Sequence, residues 1–400
     1  MPNILNTNAD LEGRTLTTAE GNYTIDGLHT FDRGTSAPFA VVAGAAKVSN
    51  LDADKLDGQT GADYHDASLL TGTYAALSGA SITTLNASNL ASGTVPTARL
   101  GSGTANIGTV LRGDQTYGLA FGLDICNLRL SLTTATPVTT ANVTAATTVY
   151  AALYRGNRVA LYTGTVWVVV SVAELTVAVP ATTVTPFDIF LDYNDGTPAL
   201  STTNWTNDTT RATALTTQDG VYVKTGDTQQ RYLGTGRTTG SSGQCEDSFA
   251  KRFLWNYQNR VLREMRALEG TDTWDYNTTT WRQANGAAGN QLEFVLGVAE
   301  VPLQAHVHAI AFNAGGAAVG FVAVGLDSVT VPTANNIGRG SFSNATLSLI
   351  HQAHLHAYPA VGYHYAAWLE RGDGTGTQRW YGDNADSALY QSGIWGTIEG

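Results

Sequence analysis

The sequence is poor in charged residues and especially poor in lysine. Charged residues make up 14% of the chain, whereas about a quarter is usual for soluble proteins. Only four lysines occur, Lys47, Lys55, Lys224 and Lys251, and the formal net charge is −11. A protein that binds nucleic acid needs a basic face to neutralise phosphates. We therefore expect no nucleic-acid partner.

Long hydrophobic runs and cysteine pairs are also missing. The strongest apolar stretches, 39–46 and 166–173, are too short for a membrane-spanning helix, which needs about twenty residues. The first residues lack the basic and apolar regions of a secretory signal. Cys126 and Cys245 are too few for a disulfide framework. We expect no membrane insertion and two reduced, semi-buried thiols in a protein assembled in cytosol.

The composition favours strands. Glycine is abundant, with 43 residues, and threonine is frequent, a mixture that suits strands joined by tight turns better than amphipathic helices. All eight tryptophans lie between Trp167 and Trp395. A first segment without tryptophan is a poor candidate for a large core, so the chain divides into a thin N-terminal part and a β-rich remainder.

The N-terminal part comprises residues 1–48 and a segment rich in Gly, Ser and Thr, 49–118. The second segment repeats phrases that pair a leucine with a glycine at uneven spacing, such as Leu70-Thr71-Gly72-Thr73. It is either a disordered linker or a thin shaft whose sparse apolar side chains meet those of identical chains along a symmetry axis. We favour the shaft, because recurring apolar anchors have no use in a linker.

The remainder predicts two antiparallel β domains, 119–243 and 244–400. Residues 127–132 alternate apolar and polar side chains, and Asn194-Asp195-Gly196 is a strong hairpin signal. The second domain predicts one short helix at 246–269 and at least six strands. The predicted fold is mainly β: an extended N-terminal segment and shaft followed by two jelly-roll-like β-sandwich domains.

Four histidines form a repeated phrase. Gln304-Ala305-His306-Val307-His308-Ala309 reappears as Gln352-Ala353-His354-Leu355-His356-Ala357. Because alternate residues of a strand share a face, each phrase presents two imidazoles on one side. If the phrases pair on adjacent strands, one chain could supply four nitrogens to a Zn ion; if either strand lies on a threefold axis, three chains could supply six to an octahedral ion such as Fe. The alternative is surface or stacked histidines without metal.

No catalytic signature stands out. The sequence has no Gly-x-Ser-x-Gly elbow, phosphate loop or dinucleotide-binding glycines, and we expect no enzyme. Sugar-stacking platforms could lie among Trp255, Trp274, Trp281, Trp368 and Trp380, although most tryptophans of a sandwich belong to its core. No glycan-contact residue is assigned on these patterns.

Several phrases resemble those of tailed-bacteriophage fibre and virion-structural proteins. They occur in every part of the chain: Phe31-Asp32-Arg33-Gly34-Thr35, Leu51-Asp52-Ala53-Asp54-Lys55-Leu56-Asp57-Gly58, Asn89-Leu90-Ala91-Ser92-Gly93-Thr94, Arg231-Tyr232-Leu233-Gly234-Thr235, Gly362-Tyr363-His364-Tyr365 and Trp380-Tyr381-Gly382-Asp383-Asn384. The His-x-His phrases are also similar to metal-binding tips of some phage fibres.

The resemblance implies a non-enzymatic virion appendage. A homotrimeric tail fibre would attach to other virion proteins through residues 1–48, and its outer β domains would contact a glycan or protein of the host surface. The alternatives are a capsid head fibre or decoration protein without a receptor role and, third, a polysaccharide-degrading tailspike. In each case the mature protein is located on the virion, at the tail or the capsid surface.

Overall fold

The computed structural model describes residues 100–103, 105, 109–119, 122–313, 318–338, 340–343 and 347–400. The predicted attachment segment and the predicted shaft up to residue 99 lie outside the described residues. Within the described part the chain consists of strands and turns, with two 3-10 helices, Asn194–Gly196 and Ala284–Gly286, and no α-helix. The predicted mainly β class is confirmed.

The first half contributes fourteen strands. They are β1 (Thr109–Leu111), β2 (Tyr117–Leu119), β3 (Leu128–Ser131), β4 (Val143–Ala146), β5 (Thr148–Leu153), β6 (Arg158–Tyr162), β7 (Trp167–Ser171), β8 (Leu175–Ala178), β9 (Pro186–Asp192), β10 (Ala199–Asn207), β11 (Thr210–Arg211), β12 (Leu215–Gln218), β13 (Val221–Lys224) and β14 (Asp227–Arg237).

Fourteen more follow. They are β15 (Cys245–Asp247), β16 (Lys251–Arg252), β17 (Leu254–Asn256), β18 (Leu262–Leu268), β19 (Thr273–Asp275), β20 (Arg282–Gln283), β21 (Gln291–Leu296), β22 (Leu303–Asn313), β23 (Ala318–Leu326), β24 (Gly340–Ser343), β25 (Leu349–Ala357), β26 (Gly362–Arg371), β27 (Gln378–Tyr381) and β28 (Gly393–Glu399).

Two large sheets form the C-terminal sandwich. One has six strands in the order β18-β28-β22-β27-β19, with β25 also paired to β22. The other has eight strands in the order β24-β23-β26-β21-β16-β15-β4, with β20 on β26. All their pairs are antiparallel except β16 with β21. A single hydrophobic core contains residues of both sheets, including Trp368 from β26 and Trp380 from β27, which confirms a sandwich.

The N-terminal half of the described region builds a second core, to which Phe253 and Leu254 also contribute, and shares two of its sheets with the C-terminal half. Its largest sheet runs β11-β10-β9-β14-β13-β12, and β17 pairs with β14 across the predicted boundary at 243/244. Strand β15 likewise pairs with β4, and Asn256 Oδ1 accepts a hydrogen bond of 2.6 Å from Leu130 N. Strands from either side of the predicted boundary at 243/244 thus complete each other's sheets.

The predicted helix at 246–269 is wrong, since this segment forms β15, β16, β17 and β18. Two of its basic residues are paired inside the protein: Arg252 Nη1 and Arg263 Nη2 each lie 2.9 Å from a carboxylate oxygen of Asp247. All three side chains are buried. A carboxylate that folding brings close thus lets an arginine occupy an inward position. Because arginine is polar, the hydropathy of the sequence does not show the alternation of this strand.

Both cysteines, Cys126 and Cys245, are buried and carry free thiols. Burial raises the pKa of the Cys245 thiol to about 12.

Candidate functional site

The candidate site is the solvent-facing side of four adjacent strands, β18, β28, β22 and β25, which we call the outer face. Along each strand the side chains alternate between buried and exposed positions, as expected when one side of a sheet packs on a core. The outward positions are Leu262, Glu264, Arg266 and Leu268 on β18, Trp395, Thr397 and Glu399 on β28, Gln304, His306, His308, Ile310 and Phe312 on β22, and Ile350, Gln352, His354 and His356 on β25.

The register aligns the outward side chains in rows across the sheet. The central row runs Arg266–Trp395–His306–His354, because each residue is directly opposite the next on the neighbouring strand. Above and below it, Gln304 is opposite His356, and His308 is opposite Gln352. The two copies of the repeated phrase therefore run antiparallel to each other.

His306 and His354 meet at the middle of this arrangement. Their Nδ1 atoms lie 2.6 Å apart, a distance that requires one nitrogen to donate its proton and the other to accept it. Burial, together with the charge of His354, lowers the pKa of His306. On its other side the His306 ring stacks on Trp395, with centroids 4.3 Å apart and an interplanar angle of 27°.

The two His-x-His phrases pair on adjacent strands, which was one of the alternatives considered from the sequence. The four imidazoles nevertheless do not converge. His308 lies beside Gln352, whose Nε2 is 3.5 Å from His308 Nδ1, and the His356 ring contacts Tyr358. Within the described ranges no group of three or more His, Cys, Asp or Glu side chains is placed to hold a metal ion. The structure thus brings together His306 and His354 and keeps the other two histidines apart.

Two further histidines of this region are buried. His351 lies in β25 with its Nδ1 atom 3.1 Å from Gly320 O, and burial lowers its pKa to about 4. His364 has Nδ1 2.8 Å from Asp327 Oδ2 and Nε2 2.8 Å from Ala360 O. Burial opposes the charge of His364, but the hydrogen bond and charge of Asp327 outweigh it and raise the pKa.

The tryptophans divide between the core and the outer face. Trp255, Trp274, Trp368 and Trp380 are buried in the sandwich, and Trp281 packs against Phe321. Trp395 is 49% exposed, and of the eight tryptophans it alone counts as exposed. The sequence signal that could have identified it is the placement of Ile394 and Ile398 on the inward positions of β28, which turns residue 395 outward.

An open cleft of about 500 Å³ adjoins the outer face beside β18. Its lining includes Asn142, Glu246, Ser248, Phe249, Arg266 and Leu268. The Arg266 guanidinium lies 4.2 Å from the centre of the Phe249 ring and 3.2 Å from Glu264 Oε1. Arg266 and Leu268 belong both to the cleft and to the outer face, so the two features are continuous. No local sequence motif predicts the cleft, because its lining comes from segments more than 100 residues apart.

No helix in the described part of the chain is long and apolar enough to cross a membrane.

Comparison with protein-family models finds no match, and comparison with curated proteins finds none either. Among solved structures, an insecticidal delta-endotoxin, Cry8Ea1 of Bacillus thuringiensis, is 8% identical with a TM-score of 0.21, over 65% of this chain and 52% of that one. A tryptic core variant of Cry1Da from the same organism is 6% identical with a TM-score of 0.17, over 63% and 48%. The chain spans about half the length of these structures, and at such TM-scores the likeness supports no argument about fold or function.

Proposed function

We propose that this protein is a structural, non-enzymatic component of a tailed-bacteriophage virion: a trimeric tail fibre that attaches through residues 1–48 and contacts the host surface with its β region. The resemblance of phrases throughout the chain supports the virion assignment. The outer face supports the contact role, and the partner is a glycan or protein of the host envelope.

The observation that carries the contact role is the exposure of Trp395 in a chain that buries most of its other tryptophans. A partly exposed tryptophan lacks the stabilisation that full burial would give, and aromatic residues are enriched where proteins bind partners. Trp395 is flanked by side chains that donate and accept hydrogen bonds, namely His306 in the same row and Thr397 two residues along β28. An aromatic ring surrounded by polar groups suits a sugar or a polar protein surface.

The contact role is tested by point substitution, because removing 244–400 would take strands out of sheets that 119–243 also needs. Virions that carry Trp395→Ala should adsorb to their host bacterium roughly tenfold more slowly, the size of effect expected at a binding hot spot. Leu389→Ala, another exposed apolar residue, is the matched control and should leave adsorption unchanged.

Intact particles whose adsorption is unaffected by Trp395→Ala would contradict this contact face. If adsorption also survived loss of the whole protein from the virion, the chain would be a head fibre or decoration protein.

Attachment and trimer formation have separate tests. Deletion of residues 1–48 should abolish incorporation into virions while the remaining chain still folds. Light scattering of the purified full-length chain should give a native mass near three times 42.1 kDa. A monomer would contradict the shared-axis shaft and favour a tethered module.

A further inference from the structure

We propose that His306 and His354 form a two-imidazole chelate for one divalent transition-metal ion on the outer face, within a single chain. This inference is independent of the fibre assignment. It replaces the four-nitrogen site that the repeated phrase suggested, because the register brings only one histidine of each phrase together.

The two donor atoms already face each other. The Nδ1 atoms are 2.6 Å apart, and the rings are inclined at 67° with centroids 4.9 Å apart. Two nitrogens on a tetrahedral ion, each about 2.0–2.1 Å from it, lie roughly 3.3 Å from one another. The pair must therefore open by less than about 1 Å, a movement that side-chain rotation can supply at a partly exposed position.

The surroundings define the class of ion. The central row contains no carboxylate, and the facing partners of the neighbouring histidines are the amides Gln304 and Gln352. Imidazole without carboxylate favours Cu²⁺, Ni²⁺ and Zn²⁺ over Mg²⁺ and Ca²⁺, which prefer oxygen. Trp395 supports His306 from the opposite side by stacking, which limits the ring to a narrow range of orientations. Both histidines are partly exposed, so water can supply the further ligands.

The first test is calorimetric titration of the tag-free full-length chain with Ni²⁺ alone. We expect one ion per chain, and His306→Gln or His354→Gln should each weaken binding roughly tenfold or more, since each removes one of two direct ligands. His308→Gln and His356→Gln are matched controls on the same strands and the same face, and they should bind Ni²⁺ within about threefold of the unsubstituted chain. Unchanged circular dichroism of all four variants establishes that the effects are local.

The second test counts the ligands. In the protein loaded with Cu²⁺, nitrogen hyperfine splitting in the electron paramagnetic resonance spectrum should indicate two imidazoles, and His354→Gln should reduce the count to one. The proposal is overturned if the unsubstituted chain binds no Ni²⁺, or if all four histidine variants weaken binding equally. It is also overturned if one ion binds per three chains, which would place the site between protomers.

Discussion

The two sides of the six-stranded sheet are made of different residues although they share the same strands. On β22 the inward side chains Ala305, Val307 and Ala309 are fully buried in the core, whereas the outward ones at 304, 306 and 308 are Gln, His and His. The inner face provides the packing that holds the sandwich together. The outer face carries the polar and aromatic groups on which both proposals rest. Because successive residues of a strand point to opposite faces of the sheet, one set of side chains stabilises the core and the other set is available for binding.

The largest expected effect on stability comes from replacing a tryptophan with alanine, once on each side of this sheet. Trp380 lies on the inner face with no exposed surface, and its Nε1 donates a hydrogen bond of 3.0 Å to Tyr276 O. Trp380→Ala should lower the free energy of unfolding by about 3–5 kcal/mol through the cavity it leaves. Trp395→Ala on the outer face should cost about 1 kcal/mol.

Urea unfolding of the two variants measures the difference. Equal losses of stability would contradict the division of the sheet into a structural and a binding face.

The buried and exposed ion pairs sharpen the same contrast. Asp247 is buried between Arg252 and Arg263, so Asp247→Asn leaves two guanidinium groups without a counter-charge and should cost about 3 kcal/mol. Asp275→Asn breaks the Asp275–Arg379 pair, in which both side chains are nearly half exposed, and should lower stability far less.

The comparison uses the same substitution at both sites, so a similar loss of stability in each variant would show that burial does not set the strength of these pairs. The free energy of unfolding, measured in low salt and in 1 M salt, also separates them, because salt screens exposed charges far more than buried ones.

A smaller effect is expected from the buried histidine of the opposite sheet. The pKa of His364 is raised above the ordinary 6.5 by Asp327 and Ala360. Below pH 6.5 the imidazole is protonated in the folded and the unfolded chain, and the ion pair contributes fully to stability. As the pH rises through the raised folded-state pKa, that contribution is lost, so stability should fall on the alkaline side of 6.5.

Urea unfolding midpoints at about pH 6 and about pH 9 measure this loss. Asp327→Asn removes the charge that raises the pKa and should give a smaller fall over the same interval. A fall as large as that of the unsubstituted chain would disprove the role of Asp327.

The local signals in the sequence identified much of the fold. The alternation at 127–132 became β3, and Asn194-Asp195-Gly196 forms the turn between β9 and β10. These features depend on neighbouring residues alone. The segment 262–268 was mistaken for helix because it places Arg263 inward and Leu262 outward, the reverse of the hydropathy rule. That inversion is stabilised by Asp247, which only the folded chain brings near.

The candidate site could be predicted in part. The repeated His-x-His phrase correctly indicated strands that present imidazoles on one face, and pairing of the two phrases was one of the alternatives considered. The register could not be predicted, because the spacing of residues along the chain does not specify which residue of one strand lies opposite a given residue of the next. Trp395 was missed: it was not among the five tryptophans considered as sugar platforms, because its position relative to Ile394 and Ile398 was not taken into account.

The central claim is that the outer face contacts the host surface, and the most direct measurement is competition by the purified full-length chain. The unsubstituted protein should block adsorption of the phage to its host in a concentration-dependent manner. Trp395→Ala should require roughly tenfold more protein for the same block, whereas Leu389→Ala should match the unsubstituted chain. Equal blocking by all three proteins would contradict the claim, and the contact would then have to lie on another surface.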